Sequence, residues 1–224
     1  MVRISFTLFL GLHVMLVEYK SDFPVTEAAC KKATGKGLKE WFAALDAKPE
    51  LNQKRRDAAA WIMESTGATS TDIWWATTIW VEYERAHKVV NKKDGRAEGY
   101  NICSTKTIAA PVADIYAAWT DARTLAQWFG ASVKVDVTDG GKWNDGDGNS
   151  GEYLRLRVNK DLRFTFNHAE AEAPTLVDVT IADKGKGKTG LTLMHQRIQN
   201  RHEADGLRNA WSQALDRLKQ HLEK

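Results

Sequence analysis

Residues 190–222 read GLTLMHQRIQNRHEADGLRNAWSQALDRLKQHL, and two hydrophobic periods meet within them. Leu191, Leu193 and His195 fall on one side of an extended chain, with Thr192 opposed to them. Past Leu207 the spacing changes. Leu207, Ala210, Trp211, Ala214, Leu215, Leu218 and Leu222 recur at i, i+3 and i+4, which predicts a long amphipathic helix with one apolar face. A strand with one apolar side, followed by a helix with one apolar stripe, predicts that the helix lies across a sheet.

Outward from that stretch the alternation repeats. Val133, Val135 and Val137 oppose Lys134 and Asp136, and Leu154, Leu156 and Val158 oppose Arg155 and Arg157. Phe164 and Phe166 oppose Arg163 and Thr165, while Val177, Val179 and Ile181 oppose Asp178 and Thr180. One apolar and one wet wall is the pattern of an antiparallel sheet covered on a single side. A first strand, roughly 100–108, ends before Pro111. A helix bearing Val112, Ile115, Tyr116 and Trp119 follows, then a short one with Leu125, Trp128 and Phe129 before Gly130. The fold class is α+β. Arg155, Arg157 and Arg163 are expected simply to be solvated on the outer face.

Before residue 99 the period is helical. Thr26 is a candidate cap for a helix through Leu45 that is punctuated by Thr34-Gly-Lys-Gly37, and Pro49 closes it. A second helix runs from about Arg55 to Glu64, burying Ala58, Trp61 and Ile62, and stops at Gly67. The third, DIWWATTIWVEYERAH at residues 72–87, puts Ile73, Trp75, Ala76, Ile79, Trp80, Tyr83 and Ala86 on one broad arc. Thr77, Thr78, Glu82, Glu84 and Arg85 form a solvated arc, except that Trp74 and Val81 stand in its middle. A buried Trp removes roughly 150–250 Å² from water, so this second stripe needs a partner. It is expected to dock on the following domain or to form a homodimer interface. The chain thus divides into a three-helix domain at 26–90, a polar linker at 91–98 and an α+β domain at 99–224. Residues 1–25 carry an apolar run from Ile4 to Val17, too short to span a bilayer and lacking a small-residue cleavage site. Met15 is a second candidate start.

The bulk numbers narrow the function classes. Of 224 residues 27% are charged, yet the net charge is only +3, evenly spread, which leaves no footprint for nucleic acid. The helix opening Asp72-Ile-Trp74 lacks the Arg, Lys, Asn or Gln of a recognition helix. Cys30 and Cys103 lie far apart without metal-ligand spacing and read as reduced thiols, fitting a cytoplasmic setting. Ala182-Asp-Lys-Gly-Lys-Gly-Lys-Thr189 approximates a phosphate loop, but a strand follows where a helix is required, so it reads as a basic hairpin turn. Asp145-Gly-Asp-Gly-Asn149 begins like a calcium loop, but Ser150 stands where the Gly is needed and Leu156 where the bidentate Glu belongs. It reads as a tight turn. No paired carboxylates, nucleophile and base, or metal set emerges, and no cofactor is expected.

Thr107-Ile-Ala-Ala-Pro-Val-Ala-Asp-Ile-Tyr-Ala-Ala-Trp-Thr-Asp121, Leu125-Ala-Gln-Trp-Phe-Gly130, Gly140-Gly141, Asp145-Gly-Asp-Gly148, Leu191-Thr-Leu-Met-His195 and Trp211-Ser-Gln-Ala-Leu-Asp-Arg-Leu218 come in order. This run resembles the START-like (SRPBCC) superfamily, and more narrowly the branch similar to the C-terminal domain of the heat-shock protein 90 ATPase activator. Residues 26–98 resemble an uncharacterised helical domain fused ahead of such modules in bacteria. The resemblance implies a helix-grip fold, a curved antiparallel sheet around the last helix, with a cavity between them in many members. It implies three functions: carriage of an apolar or aromatic small molecule, co-chaperone stimulation of a chaperone ATPase, or cyclase and hydrolase chemistry. Under the first, Trp119, Trp128, Phe129, Trp143, Phe164, Phe166, His195 and Trp211 are the candidate cavity lining. Filled core is the competing reading of these rings. His195 either orients a ligand or acts in proton transfer, or is a core histidine bonded to backbone; His168 has the same inward parity at a strand end. A helical region stands where the activator family carries its own N-terminal domain, which weakens the co-chaperone reading.

Overall fold

The alternation of the C-terminal half builds seven strands: β1 (Tyr100–Ile108), β2 (Lys134–Val135), β3 (Lys142–Asn144), β4 (Asn149–Arg157), β5 (Asp161–His168), β6 (Thr175–Gly185) and β7 (Lys188–Ile198). They form one curved antiparallel sheet in the order β1-β7-β6-β5-β4-β3-β2. The helices are α1 (Glu27–Thr34), α2 (Leu38–Asp46), α3 (Arg55–Thr66), α4 (Ser70–His87), α5 (Val112–Thr120), α6 (Ala122–Leu125) and α7 (Arg201–Leu222). This computed structural model describes residues 15, 17–51, 54–66, 70–91, 93–168 and 170–224, with the side chains of 70–72 excepted. The apolar run from Ile4 lies outside the described residues apart from Met15 and Val17, as does the stop expected at Gly67.

The chain divides into two compact units. The first comprises Cys103–Met194 and Arg208–Lys224 with Met15 and Val17. Its core is the apolar wall of the sheet, where Leu162, Phe164, Phe166, Val177, Val179, Leu191 and Leu193 are buried as the alternation requires. Across them α7 lays Trp211, Ala214, Leu215 and Leu218, all buried. Trp211 stacks on Phe129 at 5.8 Å between centroids and lies 6.0 Å from Phe166 of β5. This is the helix-grip arrangement. On the wet wall the arginines are paired rather than merely hydrated. Arg155 reaches Asp161 at 2.8 Å and Asp178 at 3.2 Å, and Arg163 grips Asp178 with two bonds of 2.6 and 2.8 Å.

Strand β4 departs from its expected facing. Leu154 and Val158 are 46% and 74% exposed, and the buried residue is Tyr153. A β-bulge between Tyr153 and Arg155 is the cause: Tyr153 pairs with Phe164 and Leu156 with Leu162, so the facing inverts within the strand. Strand β2 is only two residues long, and Val137 is exposed beyond it. The basic stretch is a hairpin turn, with Lys186 and Gly187 both at positive φ (54° and 69°) between β6 and β7.

The second unit comprises Glu18–Ile102 and His195–Leu207. Its first helical segment resolves into α1 and α2. Thr26 Oγ1 caps α1 by accepting from Ala29 N at 3.1 Å, and Gly35 ends it at φ 80°, a left-handed conformation that glycine adopts without steric cost. Glu40 reaches back to Gly37 N at 2.8 Å to start α2. Around α4 pack Cys30, Trp41, Leu45, Ala58 and Ile62 from α1, α2 and α3.

Helix α4 is buried nearly all round. Trp74, Trp75, Ala76, Thr78, Ile79, Trp80, Val81, Tyr83 and Glu84 are all enclosed. The arc read as solvated is therefore only partly so, and Ile73, expected in the core, is 51% exposed. The reason lies in the return of the chain. Residues 195–207 belong to this unit, and the first turns of α7 supply a second wall for the helix.

Candidate functional site

Two places in the molecule concentrate side chains of chemical interest. The first is an apolar pocket in the sheet unit, lined by Trp119, Leu125, Phe129, Val133, Val135, Trp143, Tyr153, Leu162 and Phe164. Helix α5 supplies Trp119, the α6 turn supplies Leu125 and Phe129, Val133 stands just before β2, and strands β2 to β5 supply the rest. At about 20 Å³ it holds a single water-sized guest. No residue of α7 lines it.

Its walls are held ring against ring. Trp119 meets Trp128 at 4.8 Å, and Trp143 stands edge-on to Phe164 at 5.5 Å and lies 5.7 Å from Phe166. Of the eight residues expected to line a cavity, Trp119, Phe129, Trp143 and Phe164 do so. Trp128, Phe166 and Trp211 are buried in the ring cluster behind them. Trp128 is also tied to the backbone, its indole N–H donating to the Ala118 carbonyl at 3.0 Å. His195 is fully buried in the other compact unit, and burial pushes its imidazole down to about 3, so it is neutral at ordinary pH. Tyr153 was not legible as a lining residue, because a bulge leaves no mark in an alternation count.

The pocket carries no charge. The polar atoms of its lining side chains are themselves buried: the Tyr153 hydroxyl donates to the Trp119 carbonyl at 3.4 Å, and the indole N–H groups of Trp119 and Trp143 have no acceptor among the described residues. Burial raises the Tyr153 phenol well above its usual range.

The second place is the polar pin of the helical unit. Asp205 of α7 is fully buried and accepts from Trp74 Nε1 at 3.0 Å, from Asp22 N at 2.9 Å and from Arg201 Nε at 3.2 Å. The Arg201 guanidinium lies 4.3 Å from the Trp74 ring centroid and 5.3 Å from that of Tyr100. Here is the partner that the stripe on α4 requires. Trp74 is satisfied within the chain, by residues that sequence division assigns to the following domain; Val81 is buried too. The pin is structural chemistry, since its charges neutralise one another in place.

The calcium-like stretch is also self-contained. Asp145 Oδ1 accepts from Asp147 N at 2.8 Å and Asn149 N at 3.0 Å, and its other oxygen accepts from Asn149 Nδ2. Among the described residues no group of three His, Cys, Asp or Glu is placed to hold a metal ion, and no helix is long and apolar enough to cross a membrane.

Residues 109–223 match the family described as Activator of Hsp90 ATPase homolog 1-like protein. The chain belongs to that family. Among solved structures it is similar to the solution structure of CalU16 from Micromonospora echinospora, at 24% identity over 56% of this chain and 67% of that one, with a TM-score of 0.52. Protein MLL2253 from Mesorhizobium loti is 22% identical over 55% of this chain and 96% of its own, with a TM-score of 0.50. At these identities the likeness is one of fold. A comparison with curated proteins finds no match. The matched range holds every residue of the apolar pocket and none of helices α1 to α4.

Proposed function

We propose that this member of the Activator of Hsp90 ATPase homolog 1-like family is a binding module that takes an apolar or aromatic small molecule between α5, α6 and strands β2 to β5. One observation carries the reading: nine apolar and aromatic residues converge on a single uncharged pocket in the family domain. At rest the pocket is nearly filled, so a guest enters by displacing part of the wall. Val133, just before the two-residue strand β2, and Val135 within it are the half-exposed residues of that wall, and they are the part that yields.

Native mass spectrometry of the full chain purified from its own host, with pyrene titration of the emptied protein, tests this. The expected result is a co-purifying small molecule and saturable micromolar binding, both lost in Val135→Trp, which fills the pocket. Absence of both from the folded wild-type protein rejects the reading.

The description of the family favours a second reading, stimulation of an Hsp90-type ATPase. Adding the chain to the Hsp90 of its host and following ATP hydrolysis decides it; an unchanged rate eliminates that role.

A further inference from the structure

We infer that Glu84 of α4 is a proton-controlled latch: protonated, it leaves Arg55 of α3 to hold Glu98 just ahead of β1, and ionised, it draws Arg55 inward and loosens that hold. The inference is independent of the apolar pocket and of the binding-module reading. Its basis is a shared cation. Nη1 of Arg55 lies 3.4 Å from Oε2 of Glu98 and 3.6 Å from Oε2 of Glu84, so a single guanidinium faces two carboxylates. The two acids differ in setting, since the Glu84 side chain is 6% exposed and that of Glu98 40%. Water can make up the missing counter-charge at Glu98. At Glu84 a proton has to.

The groups that face Glu84 give the same sign. Arg55 of α3 attracts its charge, Glu98 repels it, and the Trp80 indole of its own helix lies beside it. Burial outweighs the pull of Arg55 and raises the Glu84 carboxyl to about 7, so it is neutral in mild acid and ionised in mild base. A charge in so dry a setting attracts Arg55 more strongly than the half-exposed Glu98 does. The consequence falls on the turn that Glu98 secures. Oε1 of Glu98 accepts from Asn91 Nδ2 at 3.0 Å. The Asn91 backbone closes the turn, its N–H donating to the Arg96 carbonyl and its carbonyl accepting from Gly95 N, both at 2.9 Å. Asp94 pairs separately with Arg197 of β7, so the turn is loosened at Glu98 and not detached.

Amide exchange in the full-length protein tests this, read at Asn91 and Gly95 from about pH 5.5 to about 8.5 and normalised to the intrinsic rate of an unstructured chain. The Glu84 carboxyl carbon is followed by NMR over the same range. Protection at both amides is expected to fall roughly tenfold as Glu84 ionises. Glu84→Gln keeps the shape and cannot ionise, and it should hold protection at its low-pH level throughout. Glu98→Gln weakens the grip of Arg55 and should bring low-pH protection down to the high-pH level. Constant protection while Glu84 titrates, a step that survives in Glu84→Gln, unchanged low-pH protection in Glu98→Gln, or a Glu84 carboxyl already ionised at the acid end overturns the inference.

Discussion

The indole N–H of Trp74 donates to the carboxylate of Asp205 across 3.0 Å, although 131 positions separate the two residues. The same carboxylate holds Asp22 N and the Arg201 guanidinium, so α4, the N-terminal segment and the start of α7 share one buried acceptor. Hydrogen bonds to a buried charge are worth more than neutral ones, and breaking one leaves the charge undersatisfied.

Trp74→Phe therefore should lower stability by about 1.5–3 kcal/mol, with little change in ring packing. Trp74→Ala adds a cavity and should lose about 3–5 kcal/mol. Urea titrations of the two variants check both values. A midpoint for Trp74→Phe equal to that of wild type contradicts the role given to the bond.

Removing Asp205 strands Arg201, which is itself buried. Asp205→Leu should cost about 3–5 kcal/mol, and the double change with Arg201→Met should recover much of the loss, because two apolar side chains leave no charge enclosed. The double-mutant cycle in denaturant measures this coupling directly.

Two buried groups of the helical unit set opposite pH dependences. Burial pushes the Glu84 carboxyl from 4.5 up to about 7, against the pull of Arg55, and burial pushes His195 from 6.5 down to about 3. The raised acid stabilises the fold most below pH 4.5, and that stability is lost as pH climbs through 7. The depressed base acts the other way: its contribution is complete above pH 6.5 and disappears as pH falls toward 3. In wild type the slopes oppose one another over the shared range. Glu84→Gln should be more stable than wild type at pH 8, by at most about 3 kcal/mol, and should lose the advantage by pH 4. His195→Leu should flatten the acid limb. Thermal melts across pH 3–8 separate the two.

Gly206 lies under the backbone of Glu18, where an added Cβ would come within 2.2 Å of the Glu18 carbonyl oxygen. Gly206→Ala should push residues 18–23 off the start of α7 and break the bond from Asp22 N to Asp205, although alanine favours the helix itself. Amide exchange at Asp22 is the readout, and it should quicken by at least about tenfold. Unaltered exchange means that the segment is held elsewhere.

Gly151 pairs with Trp143 across β3 and β4. A Cβ there would fall 1.8 Å from the Thr165 carbonyl oxygen, so Gly151→Ala should force β4 and β5 apart and cost at least about 3 kcal/mol. Loss of near-ultraviolet ellipticity with retained far-ultraviolet signal is the expected signature, since the ring cluster loosens before the strands do.

The sheet and the closing helix were legible because covering a sheet on one side enforces a period of two, and Phe164, Phe166, Val177 and Leu193 all keep it. Phe164 faces the pocket for the same reason. Tyr153 was not legible, since one inserted residue at the bulge reverses facing without altering composition. Thr78 and Glu84 look like surface residues by type, and they are buried because elements distant in the chain close over them.

The amino-acid order alone determined the class of each element, the covered wall of the sheet and the need for a second partner on α4, because periodicity is a local property that side-chain spacing carries in full. Which carboxylate meets Trp74, which face of β4 turns inward and how little room the rings leave between them were decided by tertiary structure alone. Those outcomes depend on where segments far apart in the chain come to rest, and close packing admits only one arrangement of their side chains.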